Sequence, residues 1–126
     1  MTNLETVNEF MRRFCEKDLD GACELVTDDV EYDNVPIGTN IGPEGIRAVA
    51  ASLLDGFDSI EFTVHRSAAD GAVVMNERTD RFTVGDRSWD VPVAGVFELT
   101  DDGRIRLWRD FFDMGVVNEM LGALSA

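Results

Sequence analysis

Residues 73–112, VVMNERTDRFTVGDRSWDVPVAGVFELTDDGRIRLWRDFF, decide the fold that this sequence predicts. Apolar and polar residues alternate along three runs, and the turn formers GDRS and DDGR separate one run from the next. A fourth run precedes them and ends at the turn ADGA. Because short connections join antiparallel neighbours, we predict a meander of four strands. Their predicted spans are Ser59–Ser67, Val73–Val84, Trp89–Thr100 and Arg104–Phe112.

Before this region, the apolar residues follow helical spacing. The start TNLE fits a capping box and predicts a first helix over Asn3–Lys17. Asp18 or Asp20 is expected to cap a short second helix that continues through Leu25.

The middle of the chain combines a turn, a short strand, a loop and a third helix. TDDVEYDNVP predicts a turn followed by a short strand that Pro36 stops, and GTNIGPEG predicts a loop. Pro43 suits the first position of the third helix. The apolar stripe of that helix is Ile46, Val49, Ala50, Leu53 and Phe57. A last apolar helix is predicted over Val116–Leu124.

These elements predict an α+β fold in one domain, residues 1–126. A length of 126 residues, 44% of them hydrophobic, is enough for one core and too short for two ordinary domains. We expect a curved antiparallel or mixed sheet with the N-terminal helices packed across one face. Such a sheet forms a cone with a deep apolar pocket at one end, which is a natural site for a small molecule.

Composition excludes several classes of function. A net charge of −14 argues against nucleic acid and anionic membrane surfaces as partners, since both require clustered Lys and Arg. The start MTNLETVNEF lacks the features of a signal peptide and no segment reaches membrane-span length, so a cytoplasmic protein is expected. Cys15 and Cys23 are predicted to be reduced core thiols, and His65 to pack or hydrogen-bond on its strand. No metal or other cofactor is expected.

Carboxylates in apolar surroundings are the main functional signal. In RLWRDFFDMG, Asp110 shares a strand face with two large aromatic residues, and an unpaired carboxylate there costs several kcal/mol. Three sets of residues each share a face: Trp108, Asp110 and Phe112; Arg78, Asp80 and Phe82; and Tyr32 and Asn34.

Structural interpretations of the same residues remain open on pattern alone. ERTDR, residues 77–81, also fits an exposed edge with local ion pairs. Asp110 has Arg109 or a backbone donor as an alternative partner, and Asp113 is expected to cap the last helix.

Four segments, EYDNVP, NERTDRF, VAGVFELTDDGRI and LWRDFFD, resemble the limonene-1,2-epoxide hydrolase family. This family is a branch of the cone-shaped nuclear-transport-factor-2-like, or SnoaL-like, α+β domains. The similarity extends over nearly the whole chain. Family members typically carry an N-terminal extension that this sequence lacks, which affects how that end of the pocket or dimer is covered.

The resemblance implies a catalytic group and its roles. Asp110, Tyr32 and Asn34 would hold a water molecule, Asp80 would donate a proton to the epoxide oxygen, and Arg78 would bridge the two aspartates. The implied substrate-binding wall is Leu53, Phe57, Phe82, Val91, Val93, Trp108 and Phe112. The implied reaction adds water to a small apolar, cyclic or terpenoid epoxide in one step to give a vicinal diol, without metal, cofactor or covalent intermediate. A homodimer through the outer sheet face is also implied.

Two other functions compete with this hypothesis. A ketosteroid-isomerase-like or polyketide-cyclase-like enzyme would use Asp110 and Tyr32 for proton transfer next to a carbonyl. Such an enzyme has no need for Arg78 between two aspartates. A non-catalytic pocket for a hydrophobic ligand is the third possibility, although a simple binder has little reason to retain five polar groups in an apolar pocket.

Overall fold

A computed structural model describes residues 1–125, except for the side chain of Leu54. Four helices and six strands follow one another along the chain. They are α1 (Asn3–Cys15), α2 (Leu19–Cys23), β1 (Val26–Asn34), β2 (Gly38–Ile41), α3 (Gly42–Gly56), β3 (Ser59–Asp70), β4 (Val73–Val84), β5 (Arg87–Leu99), β6 (Ile105–Phe112) and α4 (Met114–Ser125).

The strands form one mixed sheet in the order β2-β1-β6-β5-β4-β3. The four strands from β3 to β6 are an antiparallel meander, which confirms that part of the sequence prediction. Strand β1 joins the sheet by pairing in parallel with β6, and β2 pairs antiparallel with β1. The α+β class is also confirmed, with a mixed rather than purely antiparallel sheet.

Capping residues set the limits of the first two helices. The capping box at Thr2 and Glu5 is present, and Asp18 caps α2 through a 3.0 Å bond from the Gly21 amide. Helix α1 ends two residues before the predicted Lys17, because Lys17 adopts a left-handed conformation with φ of 66°. Helix α2 ends at Cys23 and not at Leu25, since β1 begins at Val26.

Two predictions for the middle of the chain are wrong. TDDV is not a turn, because β1 begins at Val26 and pairs there with Ile105 before a register shift that ends at Glu31. GTNI is not a loop, because residues 38–41 form the edge strand β2 against β1. Neither segment has the alternating apolar pattern of a strand, so its conformation depends on a neighbour elsewhere in the sequence. Pro43 lies in the first turn of α3, but in the second position and not the predicted first, because the helix begins at Gly42.

Predicted boundaries of the later elements shift by a few residues. Strand β4 has the predicted limits, β3 continues to Asp70, and β5 begins at Arg87. Helix α4 begins at Met114 because the Asp113 carboxylate accepts the Gly115 amide at 2.7 Å. The prediction that Asp113 caps the last helix is confirmed.

Two apolar clusters make up the core. In the first, Phe10 and Phe14 of α1 pack edge-on against Trp108 of β6, with ring centroids 5.1 and 5.3 Å apart. The second cluster lies between β3–β5, the end of α3 and helix α4. Its buried members are Phe57, Ile60, Phe82, Val91, Val93 and Met120. The inner face of the sheet is therefore divided into a region under α1 and most of α3, and a region near the end of α3 and α4.

Cys15, Cys23 and His65 have the structural roles expected from the sequence. Both cysteines are half-buried free thiols packed at the edge of the core, and burial raises the pKa of Cys15 to about 12. The His65 Nε2 lies 2.8 Å from the Thr79 hydroxyl on the adjacent strand. Among the described residues, no helix is long and apolar enough to cross a membrane.

Candidate active site

Strand register gathers the candidate residues on the inner face of the sheet. Asn34 of β1 lies opposite Asp110 of β6, and Tyr32 lies opposite Trp108. Because side chains alternate, Asp110 and Trp108 point to the same face, as the sequence pattern predicts. The inward orientation of the β4 residues shows in their burial, which alternates along that strand.

Arg78 forms a hydrogen-bonded ion pair with each of the two aspartates. Its Nε and Nη2 donate to the Asp80 carboxylate at 2.8 and 3.2 Å, and its Nη1 and Nη2 donate to Asp110 at 3.0 and 2.6 Å. A fifth bond, 3.3 Å long, runs from Nη1 to the Asn76 side-chain oxygen. These bonds match the five N–H donors of a guanidinium, so no part of this buried cation is left unsatisfied.

This cluster of Arg78, Asp80 and Asp110 is almost entirely shielded from water. Arg78 is 1% exposed, Asp80 5% and Asp110 4%. The Phe62 ring lies 4.6 Å from the guanidinium carbon, which is a cation–π distance. The two aspartates therefore interact with Arg78, and with each other, in surroundings of low dielectric constant.

The surroundings of Asp80 favour its protonated form. Burial raises the pKa of Asp80 to about 6; Arg78 opposes this rise, and the charge of Asp110 adds to it. One guanidinium cannot neutralise two carboxylates, so a single proton on the pair brings the cluster to zero net charge.

Asp110 has more donors than Asp80. Besides Arg78, the buried Trp108 indole N–H donates to Asp110 Oδ1 at 2.9 Å. Carboxylate oxygens accept hydrogen bonds, so each of these N–H donors has an acceptor on Asp110. The two carboxyl groups consequently differ in their surroundings, which is the arrangement that separates an acid from a base.

Tyr32 and Asn34 complete the polar end of the site. The Tyr32 ring stacks on Trp108 with centroids 4.0 Å apart and planes 7° from parallel. Burial raises the pKa of Tyr32, and the charge of Asp110 acts in the same direction, so its hydroxyl keeps its proton. The structure thus brings together all five residues predicted for the catalytic group, with Arg78 behind the carboxylates and the other four facing a cavity.

The cavity has a volume of about 110 Å³, and its wall is mainly apolar. Five of the seven predicted wall residues line it: Leu53, Phe82, Val91, Val93 and Phe112. The other two, Phe57 and Trp108, lie outside the lining. Trp108 is fully buried under α1, and Phe57 packs behind Phe82 with ring centroids 5.0 Å apart. Strand alternation predicts which face a side chain is on but not which side chains a helix covers.

Several site residues were not predicted from the sequence. Five further residues line the cavity: Ile37, Val49, Phe62, Val117 and Met120. Val49 was already on the predicted α3 stripe, so it carried a signal in the sequence. Phe62 is identified by its register with Asp80, which only the folded sheet shows. Asn76 shares the inward face of β4 with Arg78 and Asp80, and its even spacing from them is the signal that identifies it.

The outward residues of the same strands form ordinary surface ion pairs. Glu77 pairs with Arg66 and Arg81 pairs with Asp90, both in exposed positions. The interpretation of ERTDR as an exposed edge with ion pairs is therefore correct for the exposed pairs of Glu77 and Arg81. It is wrong for Arg78 and Asp80, which are buried, and β4 is not an edge because it lies between β3 and β5. Within residues 1–125, no three of the described His, Cys, Asp or Glu side chains lie together in a group that could hold a metal ion.

Arg109 is not the partner of Asp110. Its Nε donates to Asp33 Oδ2 at 2.8 Å and its Nη2 lies 3.1 Å from Glu31, both on the neighbouring strand β1. The alternative that Arg109 holds Asp110 is therefore wrong, because successive residues of a strand point to opposite faces.

Comparison with known proteins agrees with this geometry. Residues 1–124 match the model of the limonene-1,2-epoxide hydrolase catalytic domain family. Over 110 residues the chain is 39% identical to epoxide hydrolase EphG of Mycobacterium tuberculosis, an alignment that covers 86% of this chain and 71% of that protein.

Solved structures place the fold in the same group. An LEH-like epoxide hydrolase from M. tuberculosis superimposes with a TM-score of 0.75 at 33% identity, covering 98% of this chain and 95% of that one. A nuclear-transport-factor-2-like protein of unknown function from Burkholderia pseudomallei gives 0.83 at 22% identity, covering 100% and 99%. At 22% identity, the similarity to the Burkholderia pseudomallei protein is evidence for the fold alone.

Fold and site together define a nuclear-transport-factor-2-like α+β domain with a buried Asp–Arg–Asp cluster facing an apolar cavity. The chain belongs to the limonene-1,2-epoxide hydrolase family. Membership of this family supports epoxide hydrolase activity.

Replacing Arg78 with Met should destabilise the protein by about 3–5 kcal/mol at neutral pH, because it leaves two buried carboxylates without a counter-charge. Arg78 lowers the pKa of Asp80, so its loss raises that pKa further above the unfolded value. Stability of the variant should then increase as pH falls from 8 to 5.5 and Asp80 binds a proton. Urea unfolding at several pH values measures both effects.

Arg81→Met is the matched control. Arg81 lies on the same strand and forms an analogous pair with Asp90, but both side chains are about half exposed. Its loss should leave the free energy of unfolding nearly unchanged. Equal losses in the two variants would show that burial of the Arg78 cluster has no energetic consequence.

Proposed function

We propose that this protein adds water to a small apolar epoxide, cyclic or terpenoid, and releases a vicinal diol. The observation that carries the proposal is the pair of buried carboxylates on one guanidinium, both facing an apolar cavity. Epoxide opening by water requires a base for the nucleophile and an acid for the leaving oxygen. This pair offers one carboxyl group for each task.

Asp110 is assigned as the base. Its carboxylate accepts the proton of a water that Tyr32 and Asn34 help to hold at the polar end of the cavity. The water oxygen attacks an epoxide carbon as the C–O bond breaks, so the nucleophile is water and no bond forms between protein and substrate. Orienting this water is a positional contribution that adds to proton transfer.

Asp80 is assigned as the acid. It lies in the same cavity, and burial keeps its pKa at about 6, so a protonated fraction is available near neutral pH. Its proton goes to the epoxide oxygen as the ring opens. The cycle then leaves Asp80 ionised and Asp110 protonated, and the proton must return to Asp80 before the next turnover.

Arg78 connects the two roles. Its guanidinium contacts both carboxylates at once, so its charge stabilises the cluster before and after the proton moves. A planar fork can make these paired contacts, which the single ammonium of Lys cannot reproduce. The apolar wall selects a substrate with few polar groups, since the cavity offers no other charged side chain among its described lining residues.

Asp80→Asn and Asp110→Asn should each lower kcat for hydrolysis of cyclohexene oxide or limonene oxide by about 10²–10⁴-fold, because each removes one partner of the proton transfer. Asp90→Asn is the control, since Asp90 is an exposed carboxylate on the neighbouring strand. Diol formation, measured by gas chromatography in buffer with chelator, compares the three variants with wild type.

Single turnover with excess enzyme in H₂¹⁸O tests the one-step route. Attack by water places ¹⁸O in the first diol released, whereas a carboxylate ester intermediate would supply an unlabelled enzyme oxygen in that turnover. Unlabelled first product would contradict the proposal. Folded wild type that forms no diol but isomerises an enone would favour the isomerase-like alternative.

The pH dependence of kcat/KM should show the pKa of the proposed acid, Asp80. Because Asp80 acts in its protonated form, kcat/KM should fall about tenfold per pH unit above a midpoint near 6, the pKa to which burial raises this carboxyl. An ordinary aspartate would lose its proton near 3.8 and be inactive as an acid at pH 6. Initial rates between pH 5.5 and 9 measure the midpoint. A profile flat to pH 8 would contradict the assignment of Asp80.

A homodimer through the outer sheet face is also proposed. Met75 of β4 and Phe111 of β6 are 52% and 44% exposed on that face, where a partner would cover them. Light scattering after size exclusion at micromolar concentration should give twice the chain mass, and Phe111→Glu should give the monomer. A monomeric wild type would contradict this part. The expected cytoplasmic location stays a prediction.

A further inference from the structure

Gly95 lies in the middle of β5, inside the row of residues that holds the catalytic group. Its register partners are Asn76 on β4 and Asp110 on β6. Arg78, one pleat away on β4, must reach across β5 to contact Asp110. The Arg78 guanidinium occupies the space above Gly95.

A side chain at this position would occupy that space. A Cβ at position 95 would lie 2.5 Å from Arg78 Nη1, 2.7 Å from Asn76 Oδ1 and 3.1 Å from Asp110 Oδ1. Carbon contacts normally lie about 3.5–4.0 Å apart, so the neighbours would have to move. Gly95 has no left-handed backbone conformation, so space and not φ is the reason for glycine here. Glycine within a strand is a known sign of such close approach.

Each of these neighbours is already held by other contacts. The Arg78 guanidinium is held by Asp80 on one edge and lies 4.6 Å from the Phe62 ring. The Asn76 amide donates to the Met11 sulfur at 3.5 Å while its oxygen accepts from Arg78. Relief of the clash would therefore displace the catalytic cluster itself.

We infer that Gly95 and Asn76 are positioning residues for the hydrolysis proposed above: Gly95 keeps open the slot that Arg78 crosses, and Asn76 fixes the guanidinium within it. Neither residue belongs to the described lining of the cavity, so both act through Arg78 and not on the substrate. The inference rests on the proposed function for its kinetic consequence, but its geometric consequence is independent of the substrate.

Gly95→Ala tests the slot, with Gly122→Ala as the control. Nothing lies within 4 Å of a Cβ at position 122 in α4, so the control adds the same methyl group in open space. A displacement of about 1 Å in a catalytic group costs about 10²-fold, so kcat for cyclohexene oxide should fall by that order in Gly95→Ala. KM should stay within about twofold, because the apolar wall is unchanged. The control should match wild type.

The second readout is the Arg78 Nε–Hε resonance in ¹⁵N NMR spectra, assigned by its disappearance in Arg78→Lys. It needs no turnover, so it tests the inference even if wild type gives no diol. The resonance should shift in Gly95→Ala and remain in place in Gly122→Ala. An unshifted resonance would overturn the inference, whether or not kcat falls. So would a folded Gly95→Ala enzyme with wild-type kcat.

Asn76→Ala removes the oxygen that accepts from Arg78 without adding bulk, and it decides the question if Gly95→Ala does not fold. Loss of one buried hydrogen bond to a cation should lower kcat about tenfold. The Arg78 resonance should shift as well. An unchanged resonance together with wild-type kcat would overturn the role of Asn76 and, in the absence of a folded Gly95→Ala protein, the inference as a whole.

Discussion

A guanidinium buried between two carboxylates is the interaction on which the rest of this structure depends. Charges in the interior are tolerated only when geometry and hydrogen bonding compensate for lost hydration. Arg78 meets that requirement with a partner for every N–H, and four of its five bonds go to Asp80 and Asp110. The apolar side chains that cover Arg78, the spacing of the polar side chains that bind it and the register of the strands must all fit this one guanidinium.

The imbalance of charge in the cluster is what makes it chemically useful. With one cation for two acids, the second carboxyl group is forced toward its neutral form, and burial raises the pKa of Asp80 to about 6. Asp110 receives an additional donor from Trp108. Two residues of the same type therefore have different surroundings, as is common where one site needs both an acid and a base.

The two core clusters support different parts of the site. Under α1, Phe10 and Phe14 cover Trp108, which in turn stacks on Tyr32, so a rigid aromatic group supports the polar end of the cavity. Near α3 and α4, aliphatic and aromatic side chains line the apolar part of the cavity.

Alternation along the strands is a local property of the chain, so the sequence by itself determined the meander and which residues share a strand face. The pattern favoured an inward Asp110 but left open whether Asp80 is buried or exposed. Motifs also identified the five catalytic candidates. The tertiary structure decided what depends on distant partners. It placed residues 38–41 in a strand and joined β1 in parallel to β6, while α1 covered Trp108. The family resemblance implied that Arg78 bridges to Asp110, but no local pattern encodes this contact, because the register across β5 decides which side chains meet across three strands.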